Sequence, residues 1–380
     1  MLVSHPIQYF VPVYRELEKT SDIDLTVIYR TRVGVDSYYD PGFGQQLKWD
    51  IPLLEGYKSR FLSEKNSLRG FEVRIVKELI SHRFDVLIVH GYNRLTNLLA
   101  ISVAKLIGTR VIIRGDTRLQ THHRHAPAWK KLIKRLLFRA FDGFLTIGTL
   151  NREYYVAFGA DAGRIFFAPF CVNNATFTLG SDVHLRVRQQ YRSALGLPND
   201  SVVFLYAAKL TAQKRPSDLI KAYAVLAQQY PNAWLLLAGS GVEEKSLKAM
   251  VAALNLERVR FLGFQNQSAL PSLYAASDIF VLPSEAESWG LVLNEAMASG
   301  LPVITSDQVG SYPDLVKGQG SGIVYPCGDV GALSQAMSSL IQAEQMRLEM
   351  GLRARELIKE WDVATCAASI VSMVKRLART

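Results

Sequence analysis

The sequence predicts an α/β chain of two doubly wound parallel sheets, and three observations support this. Uninterrupted apolar runs such as FDVLIVHG, SVVFLYAAKL and WLLLAGSG have the length and composition of strands buried on both faces. Segments with apolar residues at three- and four-residue spacing follow them, which is the alternation of βαβ units. The alternation lapses over 171–200, where Asn173, Asn174, Gly180, Gly196 and Pro198 fall, and then restarts. The predicted division is a first domain over 1–170, an irregular linker over 171–200, a second domain over 201–361 and a closing segment over 362–380.

Composition narrows the function classes. With 380 residues, 49% hydrophobic and 21% charged, the chain is long enough for two domains with their own cores and is not of disordered type. No apolar run reaches the ~18–20 residues of a membrane span. The opening MLVSHPIQYF lacks the basic start and cleavage site of a secretory leader, so the expected compartment is the cytoplasm. Cys171, Cys327 and Cys366 form no C-x-x-C, which speaks against a disulfide framework or a zinc site. The net charge is +10, and it is unevenly placed. Residues 1–170 carry 25 basic against 16 acidic side chains, and residues 171–380 carry 19 against 18. The first half therefore suits an anionic partner: a membrane surface, a lipid diphosphate or a nucleic acid. No nucleic-acid-binding motif accompanies the charge, so a basic nucleic-acid binder is the weaker reading. A nicotinamide oxidoreductase is disfavoured, because no G-x-G-x-x-G follows the first strand.

In the first half, LVSHPIQYFVPVYREL reads as a short strand, the loop Ser4–Tyr9 and a helix. Asp22-x-Asp24 precedes the strand LTVIY and reads as a solvated turn, not a metal-binding pair. Residues 31–69 lack periodicity but hold Tyr38, Tyr39, Phe43, Trp49, Tyr57 and Phe61 among glycines. A long aromatic loop in a compact domain is typically functional. Aromatic faces stack on sugar rings, which makes Tyr38, Tyr39 and Trp49 acceptor-side candidates; packing on its own side chains is the alternative. A helix over Arg69–Ser81 leads to a strand ending at His90, and a helix over Leu95–Ile107 to a strand after which Asp116 stands. Ligands of open α/β sheets bind outside the carboxyl ends of the strands, so both residues are candidates. His122, His123 and His125 have no second ligand group at helical spacing, and no metal site is predicted. Over 126–141, Trp129, Leu132, Ile133, Leu136, Leu137, Ala140 and Phe141 form one helix face, with Lys130, Lys131, Lys134, Arg135 and Arg139 on the other. Packing on the sheet explains the stripe; an anionic bilayer explains the charge as well.

In the second half, the loop KLTAQKRP after the first strand carries Lys209 and Lys214. Gly239 and Gly241 follow the next strand, and Phe264 and Gln265 the one after. The stretch Glu287–Gly300, ESWGLVLNEAMASG, has apolar residues at helical spacing, Ser288 as a candidate N-cap and Gly300 as a stop. Glu287 then sits at a strand-to-helix junction, where free amides suit phosphate, and Glu295 about two turns in. Two such carboxylates can accept hydrogen bonds from sugar hydroxyls.

The string Glu287–Gly300, followed by PVI, resembles the E-x7-E signature of retaining GT-B glycosyltransferases of family 4, departing only at Ser288 and Trp289. The resemblance is strong over about 200–325 and topological over 1–170. It implies a GT-B fold, two Rossmann-like domains facing a cleft, with the first domain taking the acceptor and the 362–380 helix crossing back to it. It implies a retaining, metal-independent transferase using a nucleotide-diphospho sugar, UDP- or GDP-linked, with no other cofactor. Lys209 and Lys214 would hold the diphosphate and Glu287 the sugar. Glu295 would hold the ribose and Phe264 with Gln265 the base, and Gly239, Gly241, Ser288, Trp289, Gly290 and Leu291 complete the donor side. Asp116 falls where many members carry His. The implied product is an α-linked sugar on a cell-envelope glycolipid or polysaccharide, made by a cytoplasmic enzyme peripheral on the inner face of the membrane. A GT-B-fold sugar-nucleotide epimerase or hydrolase is the alternative.

Overall fold

The computed structural model describes residues 1–65, 67–68, 70–119 and 127–378. Two compact units emerge, and both are discontinuous in sequence. The first comprises 1–38, 51–171 and 362–380; the second comprises 39–50 and 172–361.

The first unit holds β1 (Leu2–Val3), β2 (Val27–Tyr29), β5 (Ser59–Phe61), β6 (Val86–His90), β7 (Arg110–Arg114), β8 (Gly143–Thr146) and β9 (Ile165–Phe167). They lie in the order β5-β2-β1-β6-β7-β8-β9, all parallel. The central strands are buried along their length because helices cover both faces, which is why they read as continuous apolar runs. The helices are α1 (Val11–Glu18), α2 (Arg74–His82), α3 (Leu95–Leu106), α4 (Ala128–Arg139) and α5 (Thr149–Ala157).

The second unit holds β10 (Val202–Ala207), β11 (Ala233–Ala238), β12 (Val259–Gly263), β13 (Ile279–Leu282), β14 (Val303–Ser306) and β15 (Gly322–Tyr325), in the parallel order β12-β11-β10-β13-β14-β15. Its helices are α6 (Asn174–Phe177), α7 (Ser181–Leu195), α8 (Pro216–Ala227), α9 (Glu244–Ala253), α10 (Leu270–Ala276), α11 (Leu291–Ala298), α12 (Tyr312–Leu315), α13 (Val330–Gln342) and α14 (Glu344–Leu357). The helix α15 (Val363–Ala378) belongs to the first unit. There Arg114 donates to Cys366 Sγ at 3.3 Å, and Lys375 pairs with Asp22 at 2.7 Å. Asp22 lies exposed in a turn, as expected, and carries this ion pair at the surface.

Two expectations are corrected. The 171–200 segment is not an irregular linker: it contains α7 and belongs to the second unit. Few apolar residues of α7 are buried; it docks through guanidinium groups. Arg192, almost fully buried, donates to Asp278 Oδ2 at 2.6 Å and to the Ala276 carbonyl at 2.9 Å, and Arg188 donates to Asp278 Oδ1 at 2.6 Å. The packing of the stripe at 126–141 holds only in part: Leu137, Ala140 and Phe141 pack on the first unit's core. Trp129, Leu132, Ile133 and Leu136 are each more than half exposed, and Phe138 is the helix's buried residue. The histidines at 122, 123 and 125 lie outside the described residues.

Candidate functional site

A doubly wound sheet opens a crevice where its strand order reverses, because the loops on either side of that point leave toward opposite faces. In the second unit this point lies between β10 and β13. The loop after β10 carries Lys209 and Lys214; the loop after β13 carries Glu287. A short 3-10 turn, Ala212–Lys214, aims Lys214, whose Nζ donates to Glu287 Oε2 in a pair mostly shielded from solvent. Lys209 Nζ donates to both carboxylate oxygens of Asp40, at 2.9 and 3.0 Å.

Asp40 comes from a strap, residues 39–50, that carries most of the two-stranded ribbon β3 (Tyr38–Asp40) and β4 (Gln45–Leu47). Its carboxylate also accepts from the backbone N–H groups of Gly42, at 2.8 Å, and Phe43, at 3.1 Å, an Asx-type turn that fixes its aim. Lys209 Nζ lies 4.8 Å from the centre of the Phe43 ring. Ser240 Oγ donates to the Phe43 carbonyl at 3.0 Å, and Asn266 Nδ2 to that of Lys48 at 2.8 Å. Phe43 and Trp49 meet Phe264 edge-on, with centroids 5.0 and 6.0 Å away. Sequence reasoning missed Asp40 as a partner of Lys209. It also set Trp49 on the acceptor side, whereas Trp49 packs on the second unit against Phe264. Tyr39 is exposed, and Tyr38 belongs to the first unit.

The glycines are explained by close approach of backbone. A Cβ on Gly239 would lie 1.9 Å from the Ala208 carbonyl oxygen, and one on Gly241 would lie 2.4 Å from that of Leu210. Their absence lets the β11 loop press against the loop bearing Lys209. Gly310, not singled out from sequence, does the same for Glu287: its Cβ would fall 1.8 Å from the Ser288 oxygen, and its N–H donates to the Glu287 carbonyl at 3.0 Å.

The organising helix α11 starts later than expected. Gly290, at φ 92°, precedes it, so Ser288 is not the N-cap. Trp289 points inward: it is buried, and its Nε1 donates to Asn294 Oδ1 at 2.9 Å, so the indole braces the turn. Leu291 opens the helix and is partly exposed. Glu295 is wholly enclosed and accepts from Tyr274 Oη at 2.7 Å. Gln265 donates to the Leu262 carbonyl at 2.7 Å, which closes the turn after β12.

In the first unit, strand order reverses between β1 and β6. His90 ends β6 and Asp116 stands exposed just beyond β7. Burial, with the nearby Arg114, pushes the His90 imidazole well below its usual range, so it is neutral. A cavity of about 250 Å³ at this point is lined by Ser4, Arg30, His90, Gly91, Asn93 and Arg94 among others. Among the described residues no three of His, Cys, Asp or Glu gather as a metal site.

This geometry can be set beside known proteins. Residues 187–357 match the family described as glycosyl transferases group 1. This region is similar to the group 1 glycosyltransferases over somewhat less than half of the chain. The N-acetyl-alpha-D-glucosaminyl L-malate synthase of Bacillus anthracis is 34% identical over 172 residues, 45% of this chain and 44% of that protein. The D-inositol 3-phosphate glycosyltransferase of Saccharomonospora viridis is 34% identical over 179 residues, 44% and 41% of the two chains. The chain spans about half the length of the curated relatives it matches. HepE of Anabaena, solved in complex with UDP, superimposes over 99% of both chains with a TM-score of 0.76 at 19% identity. The fold is therefore GT-B, with two Rossmann-like units. The group 1 match begins at 187, within the segment first read as a linker.

Proposed function

We propose that the protein is a glycosyltransferase that moves a sugar from a nucleotide-diphospho sugar, UDP- or GDP-linked, to a cell-envelope glycolipid or polysaccharide, retaining the α configuration without metal. One observation carries this most: at the strand-order reversal of the second unit Lys214 pairs with Glu287, and Lys209 stands on the same loop as Lys214. Lys209 and Lys214 would face the charge that grows on the departing diphosphate. Glu287 would hold the transferred sugar while its pair with Lys214 keeps that cation in place. Glu295 would take the ribose, Tyr274 remaining its partner, and Phe264 would face the base. The leaving phosphate oxygen would accept the acceptor's proton as the new bond forms on the same face of the sugar. HepE's complex with UDP supports a uridine donor. The basic first unit, with the exposed apolar stripe of α4, supports work at an anionic membrane surface on the cytoplasmic side. No helix among the described residues is long and apolar enough to cross a membrane.

The test is a thermal-shift screen of nucleotides and nucleotide sugars, since a ligand of the native state raises the melting point by mass action. UDP- or GDP-sugars are expected to give the largest rise, and turnover with the stabilising donor is expected to persist in EDTA. No stabilisation by any nucleotide sugar rejects the proposal, and release of free sugar without an acceptor favours an epimerase or hydrolase.

A further inference from the structure

We propose that the cavity at the strand-order reversal of the first unit is an oxyanion site, built for the phosphoryl group of a phosphomonoester. Arg30, which follows β2, is only 2% exposed. Its Nη2 donates to the Leu68 carbonyl at 2.9 Å, yet its Nε is buried with no hydrogen-bond partner among the described residues. A buried guanidinium N–H without an acceptor is costly, and Arg30 is one of the residues that line the cavity. Arg94 lines the same cavity and stands close enough to repel Arg30; Glu72 attracts Arg30 only from beyond ion-pair distance. Neither guanidinium forms an ion pair among the described residues, although two like charges share one pocket.

The third contribution is α3. Arg94 occupies its N-cap position, no side chain caps it, and its first turn contains no acid. Its leading amides therefore present partial positive charge to the cavity. Ser4 and Asn97 add short polar groups to the wall. The nearby histidines are neutral: burial, and then Arg30, hold His5 at about 4, and His90 is lower than usual for the reasons given above. The positive charge is thus permanent. Two guanidiniums and a helix start match a dianion better than a carboxylate, and the planar fork of arginine suits phosphoryl oxygens. Assigning this phosphoryl group to the acceptor rests on the transferase reading; the oxyanion site itself does not.

The experiment uses the full chain and inorganic phosphate, read by hydrogen–deuterium exchange and calorimetry. Phosphate is expected to slow exchange at Leu95–Asn97. Arg94→Gln, at an exposed position that should fold normally, is expected to weaken phosphate roughly tenfold or more. Lys209→Met should leave it unchanged. Arg30→Lys, which keeps the charge and loses the fork, should also weaken it. Acetate is expected to bind about tenfold more weakly or worse. Comparing glycerol 3-phosphate with a short-chain phosphatidic acid distinguishes a free from a lipid-borne phosphate. No protection at α3 under saturating phosphate, or protection lost with Lys209→Met but kept in Arg94→Gln, overturns the site. Equal binding of acetate overturns the phosphoryl assignment. A parallel nucleoside diphosphate titration separates the two proposals: no nucleotide binding with phosphate protection intact rejects the transferase and leaves the oxyanion site standing.

Discussion

The same crevice occurs twice in this chain, once per sheet, and the two are wired oppositely. In the second unit each cation has a carboxylate on it: Asp40 on Lys209 and Glu287 on Lys214. In the first, Arg30 and Arg94 line a cavity, and among the described residues no carboxylate is in ion-pair range of either. A compensated cation can be held in an empty site at little cost and must exchange partners when an anion arrives. An uncompensated pair is preorganised for an anion and carries its repulsion until one binds. The lysine pairs suit a ligand that is transformed and released, and the arginine pair suits one that is merely held.

The largest effect should come from breaking the lysine side. Lys209→Met or Lys214→Met is expected to lower kcat by roughly 10²–10³ while changing donor KM less, because the charge they face grows toward the transition state. Steady-state kinetics on both variants checks this. Calorimetry then separates the glutamates. Glu287→Ala should leave nucleoside diphosphate affinity nearly unchanged while activity collapses, and Glu295→Ala should weaken the nucleotide itself. The reverse pattern means the two roles are exchanged.

A second effect tests whether the lysine loop depends on backbone contact. Gly239→Ala puts a methyl group 1.9 Å from the Ala208 oxygen at a φ of +143°. A loss of roughly 1–3 kcal/mol in stability is expected, measured by denaturant unfolding. An unperturbed midpoint would mean the loop yields freely.

A third distinguishes fixed from titrating charge in the first unit. Unfolded, His5 takes a proton near pH 6.5; folded, it does so only near pH 4, because of its burial and Arg30. Between these values the unfolded chain binds the extra proton, so stability is retained above about pH 6.5 and declines as pH falls. His90 shifts in the same direction. Each contributes at most ~1.4 kcal/mol per pH unit. Melting temperatures from pH 7 to 5 should fall, and less steeply in His5→Asn.

The smallest effect concerns the rest of the first unit's positive charge. Each outward basic residue of α4 is worth about 1 kcal/mol at an anionic bilayer and is screened by salt. Lys134 is a weaker contributor, since its Nζ lies 4.2 Å from the centre of the Phe158 ring. Sedimentation with anionic liposomes at low salt should drop measurably when Lys130, Lys131 and Arg135 are replaced by Ala. Equal binding to neutral liposomes would remove the electrostatic account.

What could be read in the sequence follows from how each feature is encoded. Both sheets were legible because buried parallel strands leave apolar runs. The placement of Glu287, Lys209 and Lys214 after strands was legible, because those strands leave apolar runs and the E-x7-E string is long enough to recognise. Helix α7 was not, because Arg188 and Arg192 dock it by hydrogen bonds, which leave no apolar period. The partnership of Asp40 with Lys209 spans 169 positions and leaves no local mark at all. Only the aperiodic aromatic content of 31–69 signalled that this region was occupied. The helix over Leu95–Ile107 was legible, but its uncapped start and the burial of Arg30 beside it were not.

The strap also shapes how the chain must fold. Residues 39–50 leave the ribosome well before 172–361, the body they complete, and α15 is needed to finish a unit begun at β1. Neither unit closes on sequence-local contacts. Both depend on loop closures of well over a hundred residues, whose entropy must be met before the contacts repay it. During synthesis Phe43 and Trp49 wait without Phe264, as α1 waits for α15. Folding should therefore be largely post-translational, slow for a chain of this helical content, and prone to capture by chaperones while those surfaces are bare.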